Sequence, residues 1–465
     1  MKTYAPVTEA VLDALKTIVG AEYVLTEPEK LEQYQTDEET DPRKFHLPEA
    51  VVLPKDAQEI AAVIKLANTY DVPVTVRSGG TSLAGGAIPV CGGIVLLMER
   101  LNKIIELNAE GMYMEVEAGV RTVDIQKYAN EAGFLYAGDP CSAESCLIGG
   151  NIATNAGGNK AVRYGVTRDQ VYAVEVVTPT GEIVELGARL KKKSTGYCLE
   201  QLIMGSEGTL GIITKATLKL LPLCPYKLDL LAIFTDLDKA VGLVPNLIKA
   251  GLNPTSVEFM DNAFVRSSSD YCELKLPHYE DGSYVIVTVE TFNEDELESK
   301  MEQLDEICSA SGATDVLEAD DRVWKLRRNC LESTRVLSLV STSDDLVVPV
   351  DQIANCIRHL TKVAENYSFK LFTLAHAGDG NLHFQILKGE MSDEQWEDEV
   401  SRFHAEAYPY VYSLGGRLSG EHGIGAKKVE AMEKYTEPVE MKMMKEIKRA
   451  LDPKNILNPG KVFNA

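Results

Sequence analysis

The sequence is short of the features that mark several large classes of protein. Among its 465 residues, no apolar run approaches the roughly 18 residues of a membrane-spanning helix, and the N-terminus lacks the basic segment of a secretion signal. The net charge of −23 leaves no basic surface that could neutralise nucleic-acid phosphates. We therefore expect a globular, cytoplasmic protein that binds neither nucleic acid nor anionic lipid and has no transmembrane segment.

Cysteine motifs are also missing. The nine cysteines are scattered, and none has the CxxC spacing of a zinc ribbon, a redox disulfide or an iron–sulfur site. The sequence contains neither a CxxCH haem motif nor a GxGxxG fingerprint for a nicotinamide cofactor. Any one-electron carrier must therefore sit on another protein or be organic.

Glycine, by contrast, is concentrated in three loops. The first glycine-rich loop (residues 78–86) follows a predicted helix and strand, the second covers residues 148–159, and the third (residues 205–214) opens a predicted β-rich segment. Glycines and small hydroxyl residues after a strand let backbone N–H groups converge on an anion such as a pyrophosphate. A flexible surface loop is the alternative for the first loop taken alone. One long phosphorylated cofactor that touches all three loops explains them together.

Two of the seven histidines flank a tight turn in FTLAHAGDGNLHFQIL, residues 372–387. The apolar flanks predict two strands, and Asp379-Gly380 is the dipeptide that a two-residue hairpin turn prefers. In that register His376 pairs with His383, so both imidazoles face one side and can bind one metal ion. The alternative is a cross-strand polar pair on a wet sheet face.

Six motifs in register carry a resemblance to a known family. They are VRSGGTSLAGG, the run from IGGNIATNAGG to RYG, GSEGTLGIIT, HAGDGNLH, SGEHGIG and the closing LDPKNILNPGK. The chain resembles, over nearly its whole length, the FAD-dependent 2-hydroxyacid dehydrogenases of the vanillyl-alcohol-oxidase type flavoprotein superfamily. The branch that it matches contains D-lactate dehydrogenases, glycolate oxidase catalytic subunits and D-2-hydroxyglutarate dehydrogenases.

The resemblance implies an α+β fold in three segments. Residues 1–222 would form an FAD-binding domain of two α+β subdomains, residues 223–419 an antiparallel-sheet cap that carries substrate residues, and residues 420–465 a C-terminal segment that completes the FAD site. This tail includes a predicted amphipathic helix around Met443, Ile447 and Leu451.

The resemblance also implies which residues bind FAD. Arg77 to Ser82 would hold the pyrophosphate, and the remaining positions would line the flavin, the ribityl chain or the adenosine. The full set is Arg77, Ser78, Gly79, Gly80, Thr81, Ser82, Pro140, Gly149, Gly150, Asn151, Asn155, Gly158, Glu207, Gly208, Ile213 and Asn458. Relatives with covalent flavin attach it to a histidine or cysteine, typically from the pyrophosphate loop. Residues 77–86 contain neither, so we expect non-covalent FAD.

A third metal ligand and a base come from SGEHGIG, residues 419–425. His376, His383 and Glu421 would form a two-histidine, one-carboxylate set that accepts Zn, Fe or Mn and leaves positions for a chelating 2-hydroxy acid. His422 is then the candidate base for the substrate hydroxyl. The alternative for His422 is a fourth metal ligand.

Substrate choice is predicted from the segment around Trp324. Arg327 matches the family position that grips the substrate carboxylate bidentately, with Arg328 as the alternative in a shifted register. The 2-hydroxyglutarate enzymes add a lysine at the start of the next strand, whereas this chain has Ser-Thr-Ser-Asp-Asp at residues 341–345. A second acidic arm would meet aspartate there. We therefore expect a small monocarboxylate, D-lactate above glycolate.

The electron acceptor is expected to be a partner protein. A soluble electron-transferring flavoprotein is the first choice, as used by similar D-lactate dehydrogenases of anaerobes, and an iron–sulfur subunit is the second. Two functions of other classes stay open. A metal-dependent hydrolase would leave the three glycine-rich loops unexplained, and a non-catalytic flavoprotein relay would need no base such as His422.

Overall fold

The structure is a computed structural model that describes residues 2–465. It divides into two compact units. Unit 1 comprises the chain up to Gly157 together with Val166–Leu223 and Glu421–Ala465, and unit 2 comprises Gly158–Gly165 and Cys224–Gly420. Each unit combines helices with sheets, which confirms the predicted α+β class. No helix within residues 2–465 is both long and apolar enough to cross a membrane.

The described part of unit 1 contains eleven strands in three sheets. In the first sheet, of order β1-β2-β4-β3, the last three strands are parallel; the second, β5-β6-β10-β8-β9, is antiparallel, and β7 pairs with β11. The strands are β1 (Val24–Leu25), β2 (Ala50–Val52), β3 (Val74–Arg77), β4 (Ile94–Leu97), β5 (Ile104–Asn108), β6 (Tyr113–Glu117), β7 (Phe134–Leu135), β8 (Val171–Val177), β9 (Ile183–Gly187), β10 (Ile212–Lys219) and β11 (Leu221–Pro222).

The helices of unit 1 lie on both sides of the glycine-rich loops along the chain, except that one helix occupies residues 148–154 of the second loop. They are α1 (Glu9–Val19), α2 (Pro28–Leu31), α3 (Ala57–Tyr70), α4 (Thr122–Glu131), α5 (Ile148–Thr154), α7 (Leu199–Ile203), α15 (Val429–Tyr435) and α16 (Pro438–Leu451). Short 3-10 turns occupy Ala21–Tyr23, Glu32–Tyr34, Pro42–Lys44 and Thr167–Gln170.

The helix and strand predicted before the first glycine-rich loop are confirmed as α3 and β3. The Asp56 carboxylate caps α3 by accepting the Glu59 N–H over 2.8 Å. Ile60 and Ile64 then recur on the buried face and pack in the core of unit 1 with Val74 of β3. The first glycine-rich loop therefore begins where a buried strand ends.

The tail helix is confirmed as α16, but the buried face predicted for it is wrong in part. Met443 and Leu451 are exposed, whereas Met441 and Lys448 are buried. The Lys448 ammonium donates to the Asp452 carboxylate over 2.6 Å and to backbone carbonyls, including Thr209 O at 2.8 Å. The hydrogen bonds that buried Lys448 donates thus determine which face of α16 points inward. A search for apolar periodicity does not detect such a face.

Unit 2 is built on one antiparallel sheet of seven strands, in the order β15-β12-β14-β13-β17-β18-β16. Its strands are β12 (Tyr226–Phe234), β13 (Ser256–Met260), β14 (Ser283–Thr291), β15 (Asp315–Glu318), β16 (Ser341–Val347), β17 (Lys370–His376) and β18 (Asn381–Leu387). Its helices are α6 (Ala161–Tyr164), α8 (Leu237–Lys249), α9 (Asn262–Tyr271), α10 (Glu294–Ala310), α11 (Asp321–Arg328), α12 (Cys330–Leu337), α13 (Ile353–Ala364) and α14 (Asp393–Ser413), with a 3-10 turn at Val350–Gln352.

One face of this sheet changes from apolar to polar along the strands. Its apolar part packs Ile286 and Phe372 against Phe264 of α9 and Leu326 of α11. β17 ends and β18 begins beyond that apolar part. The side chains near the turn between them therefore lie in a polar section of the same face. This is where the two histidines lie.

Candidate active site

The hairpin of β17 and β18 brings His376 and His383 together, although its predicted register is wrong. His376 pairs with Asn381, and His383 pairs with Leu374. The turn is therefore a four-residue loop, residues 377–380, in place of the predicted two-residue turn. The Asp379 carboxylate accepts the Asn381 N–H over 3.2 Å and so shapes the wider loop. The register moved by two residues, which preserves the face of each side chain, and the two rings lie 5.2 Å apart between centroids.

Glu258 of β13 holds His376. The His376 Nδ1–H donates to Glu258 Oε1 over 2.7 Å, and both side chains are buried. The other carboxylate oxygen, Oε2, accepts two hydrogen bonds from Arg327, at 3.0 Å from Nε and 2.6 Å from Nη2. Burial raises the pKa of Glu258, but the opposing effects of His376 and Arg327 are together larger and lower it below its ordinary value.

Asp345 of β16 stands opposite His383. The two residues pair directly across the strands, and Asp345 Oδ1 lies 3.6 Å from His383 Nδ1. Asp345 also accepts hydrogen bonds from the Asn381 amide at 2.6 Å, from Ser419 Oγ at 2.6 Å and from the Gly420 N–H at 3.1 Å. The carboxylate therefore links the hairpin to the segment that leads into Glu421.

Asp344, the neighbour of Asp345, points to the opposite face of the sheet. Its carboxylate accepts hydrogen bonds from His404 Nε2 at 2.8 Å and Tyr408 OH at 2.9 Å, both on α14. The period of two in a strand makes this separation inevitable. Of the two aspartates that the sequence placed near the substrate, Asp345 alone lies on the face of the histidines.

These contacts give the two histidines the character of metal ligands. The Glu258 carboxylate fixes the orientation of the His376 imidazole and leaves Nε2 as the ligand nitrogen, which is the usual arrangement around metal-binding histidines. Asp345 lies next to the His383 ring, but its oxygen is 3.6 Å from Nδ1, beyond hydrogen-bond distance. Neither Glu258 as the partner of His376 nor Asp345 as the neighbour of His383 was predicted from the sequence. A single glutamate inside the apolar strand SVEFM is a signal that could have identified Glu258, because a buried lone carboxylate requires a partner.

Arg327 is buried, whereas the next residue, Arg328, is exposed. Arg327 is only 5% exposed and its guanidinium bonds Glu258, whereas Arg328 lies at the end of α11. The buried arginine is therefore part of the histidine network.

The glycine-rich loops of unit 1 leave very little room for side chains. A Cβ on Gly79 would lie 2.6 Å from the Ser145 carbonyl oxygen, and one on Gly149 would lie 2.7 Å from the Ala118 Cβ. In the third glycine-rich loop and the C-terminal segment, Ser206 Oγ and Asn458 Oδ1 are buried and have no hydrogen-bond partner among residues 2–465. Close-packed glycines with unpaired polar atoms fit a large polar cofactor such as FAD.

Fifteen of the sixteen predicted FAD residues lie in unit 1, and Gly158 alone begins a segment of unit 2. Several of them already have protein partners. The Asn151 amide donates to Thr122 Oγ1 over 2.6 Å, and Asn155, in the left-handed region after α5, accepts the Arg168 N–H over 2.9 Å. Arg77 Nη1 donates to the Thr36 carbonyl over 2.6 Å. These side chains shape the loops.

The segment that carries Glu421 and His422 begins the last part of unit 1. Glu421 packs on Gly157, where an added Cβ would lie 2.8 Å from Glu421 Oε2. His422 Nε2 lies 3.6 Å from Glu421 Oε1. A carboxylate and an imidazole are thus presented side by side, as predicted for this loop.

Comparison with known proteins agrees with these features. The family described as FAD linked oxidases, C-terminal domain, matches residues 227–462, and the FAD binding domain family matches residues 48–187. A D-lactate dehydrogenase of Anaerostipes hadrus is 36% identical, with 99% of this chain and 98% of the relative covered. Glycolate oxidase subunit GlcD of Bacillus subtilis is 35% identical, with 91% and 90% covered. A crystal structure of p-cresol methylhydroxylase covers 99% of this chain and 98% of its own with a TM-score of 0.83 at 17% identity, so it shows the fold alone.

Proposed function

The chain belongs to the family of FAD-linked oxidases, and from this membership we propose that it is an FAD-dependent dehydrogenase of a small D-2-hydroxy acid. D-lactate, which would be oxidised to pyruvate, is the favoured substrate. The observation that carries the proposal is the pair His376 and His383, each with a carboxylate near Nδ1, in a chain that also has the glycine-rich FAD loops.

FAD is assigned to unit 1. The three glycine-rich loops and Asn458 would hold it, with backbone N–H groups of the first loop at the pyrophosphate. When bound, FAD supplies the acceptor for the hydride that leaves C2 of the substrate. The missing histidine and cysteine in residues 77–86 favour a non-covalent complex.

A divalent metal ion is assigned to His376, His383 and Glu421. Glu258 orients His376, Asp345 lies beside His383, and Glu421 follows Gly420, whose N–H donates to Asp345. Two imidazoles and one carboxylate suit Zn, Fe or Mn. When bound, the ion would polarise the hydroxyl of a chelating 2-hydroxy acid and lower its pKa.

His422 is the proposed base. Its imidazole would take the proton of the substrate hydroxyl group, and the oxygen of that group becomes the carbonyl oxygen of the product. His422 Nε2 lies 3.6 Å from Oε1 of Glu421, the proposed metal ligand, so the base would stand next to the metal ion. Arg327 would supply the positive charge for the substrate carboxylate, from its position on Glu258 next to His376.

The choice of a monocarboxylate rests on the charge around His383. Asp345 lies on the histidine face, and residues 341–345 offer no cation for a second carboxylate. A distal carboxylate near Asp345 would suffer like-charge repulsion. The alternatives are glycolate and D-2-hydroxyglutarate, of which glycolate shares the small size of D-lactate.

A partner protein is proposed to reoxidise the flavin. The nine cysteines show no iron–sulfur spacing, so the chain offers no cluster of its own for onward electron transfer. An electron-transferring flavoprotein is favoured, and an iron–sulfur subunit is the alternative. A non-catalytic relay subunit is disfavoured because Glu421 and His422 have no role in a relay.

The test is an anaerobic reduction experiment. The purified FAD-loaded protein would be mixed separately with D-lactate, L-lactate, glycolate and D-2-hydroxyglutarate, and the absorbance of oxidised flavin followed with and without a chelator. Rapid bleaching by D-lactate that the chelator abolishes is the expected result. Bound flavin that none of the four acids reduces would assign the chain to the relay class, and failure to bind FAD would overturn the flavoprotein assignment.

A further inference from the structure

The loop that carries the proposed ligand Glu421 and base His422 has no regular secondary structure of its own. It runs from Glu421 to Gly425, and both Gly423 and Gly425 have positive φ, at +83° and +53°. A loop of this kind holds a side chain in one place only where other residues fix its backbone. Its fixing contacts within unit 1 therefore decide where His422 points.

Glu207 makes contacts that fix the C-terminal end of this loop. One carboxylate oxygen accepts the Ile424 N–H over 2.8 Å, and the other accepts the Gly425 N–H over 2.7 Å. The loop is so close that a Cβ on Gly423 would lie 2.8 Å from Glu207 Cδ. Glu207 is 8% exposed, so both hydrogen bonds are buried; burial raises the pKa of its carboxyl group, and the two N–H donors oppose that rise.

The backbone of Glu207 ties the same residue to the glycine-rich loops. Its N–H donates to the Ala153 carbonyl of α5 over 2.7 Å, and its carbonyl accepts the Asn458 amide over 2.7 Å. Glu207 itself has φ of +52°, an unfavourable conformation that a non-glycine residue adopts only when its surroundings impose it. One residue thus contacts the second glycine-rich loop, the C-terminal segment and the Glu421–Gly425 loop.

From these contacts we propose that Glu207 is a positioning residue for His422, which transmits the geometry of the FAD loops to the proposed base. This inference rests on the proposed function, and it revises the sequence-based role of Glu207 as a direct ligand of FAD. Both carboxylate oxygens face the backbone of the Glu421–Gly425 loop. The carboxylate therefore binds the Glu421–Gly425 loop, and the glycines next to Glu207 are the residues that would contact the cofactor.

Hydrogen bonds that do not involve Glu207 hold the residues that follow the loop, and this makes the test possible. The Ala84 carbonyl accepts the N–H groups of Ala426 at 3.0 Å and Lys427 at 3.2 Å, and the Gly425 carbonyl accepts the Val462 N–H at 3.0 Å. Loss of the Glu207 carboxylate should therefore loosen residues 421–424 while the following residues stay in place.

The variant is Glu207→Gln in the FAD-loaded protein. The amide has almost the shape of the carboxylate but replaces one acceptor by an NH2 group, so one of the two loop N–H groups loses its partner. We expect the rate constant for flavin reduction at saturating D-lactate to fall about 10- to 100-fold, because a base displaced by about 1 Å loses that much. The D-lactate concentration at half-saturation should change less than threefold, and FAD content should stay at the wild-type level. Glu207→Asp, which keeps the charge on a shorter side chain, should recover part of the rate.

Amide hydrogen exchange gives a second measurement that does not depend on catalysis. Exchange in a peptide covering residues 420–426 should be about tenfold faster in Glu207→Gln. The matched control is Glu200→Gln, since Glu200 is equally buried in unit 1 but bonds Lys193, 2.8 Å away, and does not touch the loop. The control should leave both the exchange and the reduction rate at wild-type values.

The outcomes separate the inference from the proposed function. Loss of FAD from Glu207→Gln at saturating FAD would overturn the inference and return Glu207 to the cofactor site. Unchanged exchange in residues 420–426 would overturn it as well. If no 2-hydroxy acid reduces the wild-type flavin while exchange in Glu207→Gln is faster, the proposed function fails and the loop-fixing role of Glu207 is upheld.

Discussion

Glu258 and His376 lie directly opposite each other on neighbouring strands, and the His376 Nδ1–H donates to Glu258 Oε1 over 2.7 Å. Arg327 bonds the other oxygen of the same carboxylate. The histidine is therefore held by a buried carboxylate whose charge is compensated by an arginine. Arg327, the proposed substrate contact, and His376, the proposed metal ligand, thus bond the same carboxylate. A substitution of Glu258, Arg327 or His376 should therefore affect the other two residues.

The first prediction concerns metal binding and uses Glu258→Gln. The amide is a weaker acceptor than the carboxylate, so His376 loses both orientation and basicity, and metal affinity should fall about 10- to 100-fold. The variant should also unfold more easily by about 3 kcal/mol, because Arg327 is left buried without a counter-ion. Metal titration of the folded protein, followed by the recovery of D-lactate-dependent flavin reduction, measures the effect.

A carboxylate elsewhere on the sheet provides the control for Glu258→Gln. Asp229 of β12 accepts a hydrogen bond from Thr288 and pairs with Lys227, away from both histidines. Asp229→Asn should bind metal like the wild type. Equal loss of metal in both variants would mean that Glu258 acts only through general stability.

The second prediction concerns the substrate carboxylate and uses Arg327→Lys. Lysine keeps the charge, but its single nitrogen cannot both bond Glu258, as Arg327 does through Nε and Nη2, and reach the substrate carboxylate, so KM for D-lactate should rise about tenfold or more while kcat falls less. The same change at exposed Arg328 should leave KM unchanged. Steady-state kinetics with D-lactate measure both variants, and the reverse result would move the substrate contact to Arg328.

The sequence predicts a large part of this fold because its periodic segments agree with their tertiary roles. The α3–β3 unit has a strong helical pattern followed by a strand pattern, and both elements are confirmed. Six motifs in order identified the family before any geometry was known. The side-chain environment within each segment was harder to predict.

The failures share one physical cause, which is that contacts distant in sequence outweigh the local signal. The hairpin turn widened even though Asp379-Gly380 favours a two-residue turn, because the register of β17 and β18 is also set by their pairing with β13 and β16. The contact of Glu207 with FAD stays a prediction, and the partners that the structure gives its carboxylate are N–H groups 217 and 218 residues away in the chain. A local motif does not identify such a partner.

The third prediction concerns the attachment of FAD. Residues 77–86 contain neither histidine nor cysteine, so no family-type nucleophile is available in the first glycine-rich loop. Acid denaturation and centrifugation should leave all flavin in the supernatant, where its absorbance can be compared with that of the native protein. Flavin that stays in the pellet, and on the denatured chain in a gel, would contradict the prediction.

The fourth prediction is a stabilising change away from the site. Gly242 lies on the exposed side of α8, and a Cβ at this position would meet no atom within 4 Å. Alanine loses less conformational entropy than glycine when a helix forms, so Gly242→Ala should raise the free energy of unfolding by about 0.5–1 kcal/mol. Thermal unfolding measures the gain, and the flavin reduction rate should not change. A lower melting temperature would mean that α8 has a contact there that the structure does not show.

The last prediction concerns pH and Asp261, which caps α9. The carboxylate accepts the Phe264 N–H at 2.8 Å and the Thr373 N–H at 2.6 Å, yet burial outweighs these bonds and raises its pKa to about 7 from an ordinary 3.8. Between pH 4 and 7 the folded state therefore keeps a proton that the unfolded state has lost. Raising the pH through this window lowers the free energy of unfolding, by at most about 4 kcal/mol for about three pKa units.

Asp261→Asn removes this ionisation and keeps a cap, since asparagine is as good an N-cap residue as aspartate. At pH 5 the variant resembles the protonated wild type, so their melting temperatures should be similar. At pH 8 the wild type buries a charge that the variant lacks, so the variant should melt at the higher temperature. Asp236→Asn at the exposed N-cap of α8 controls for the cap itself. If the difference between wild type and Asp261→Asn is the same at pH 5 and pH 8, Asp261 ionises normally and its backbone hydrogen bonds outweigh the cost of burial.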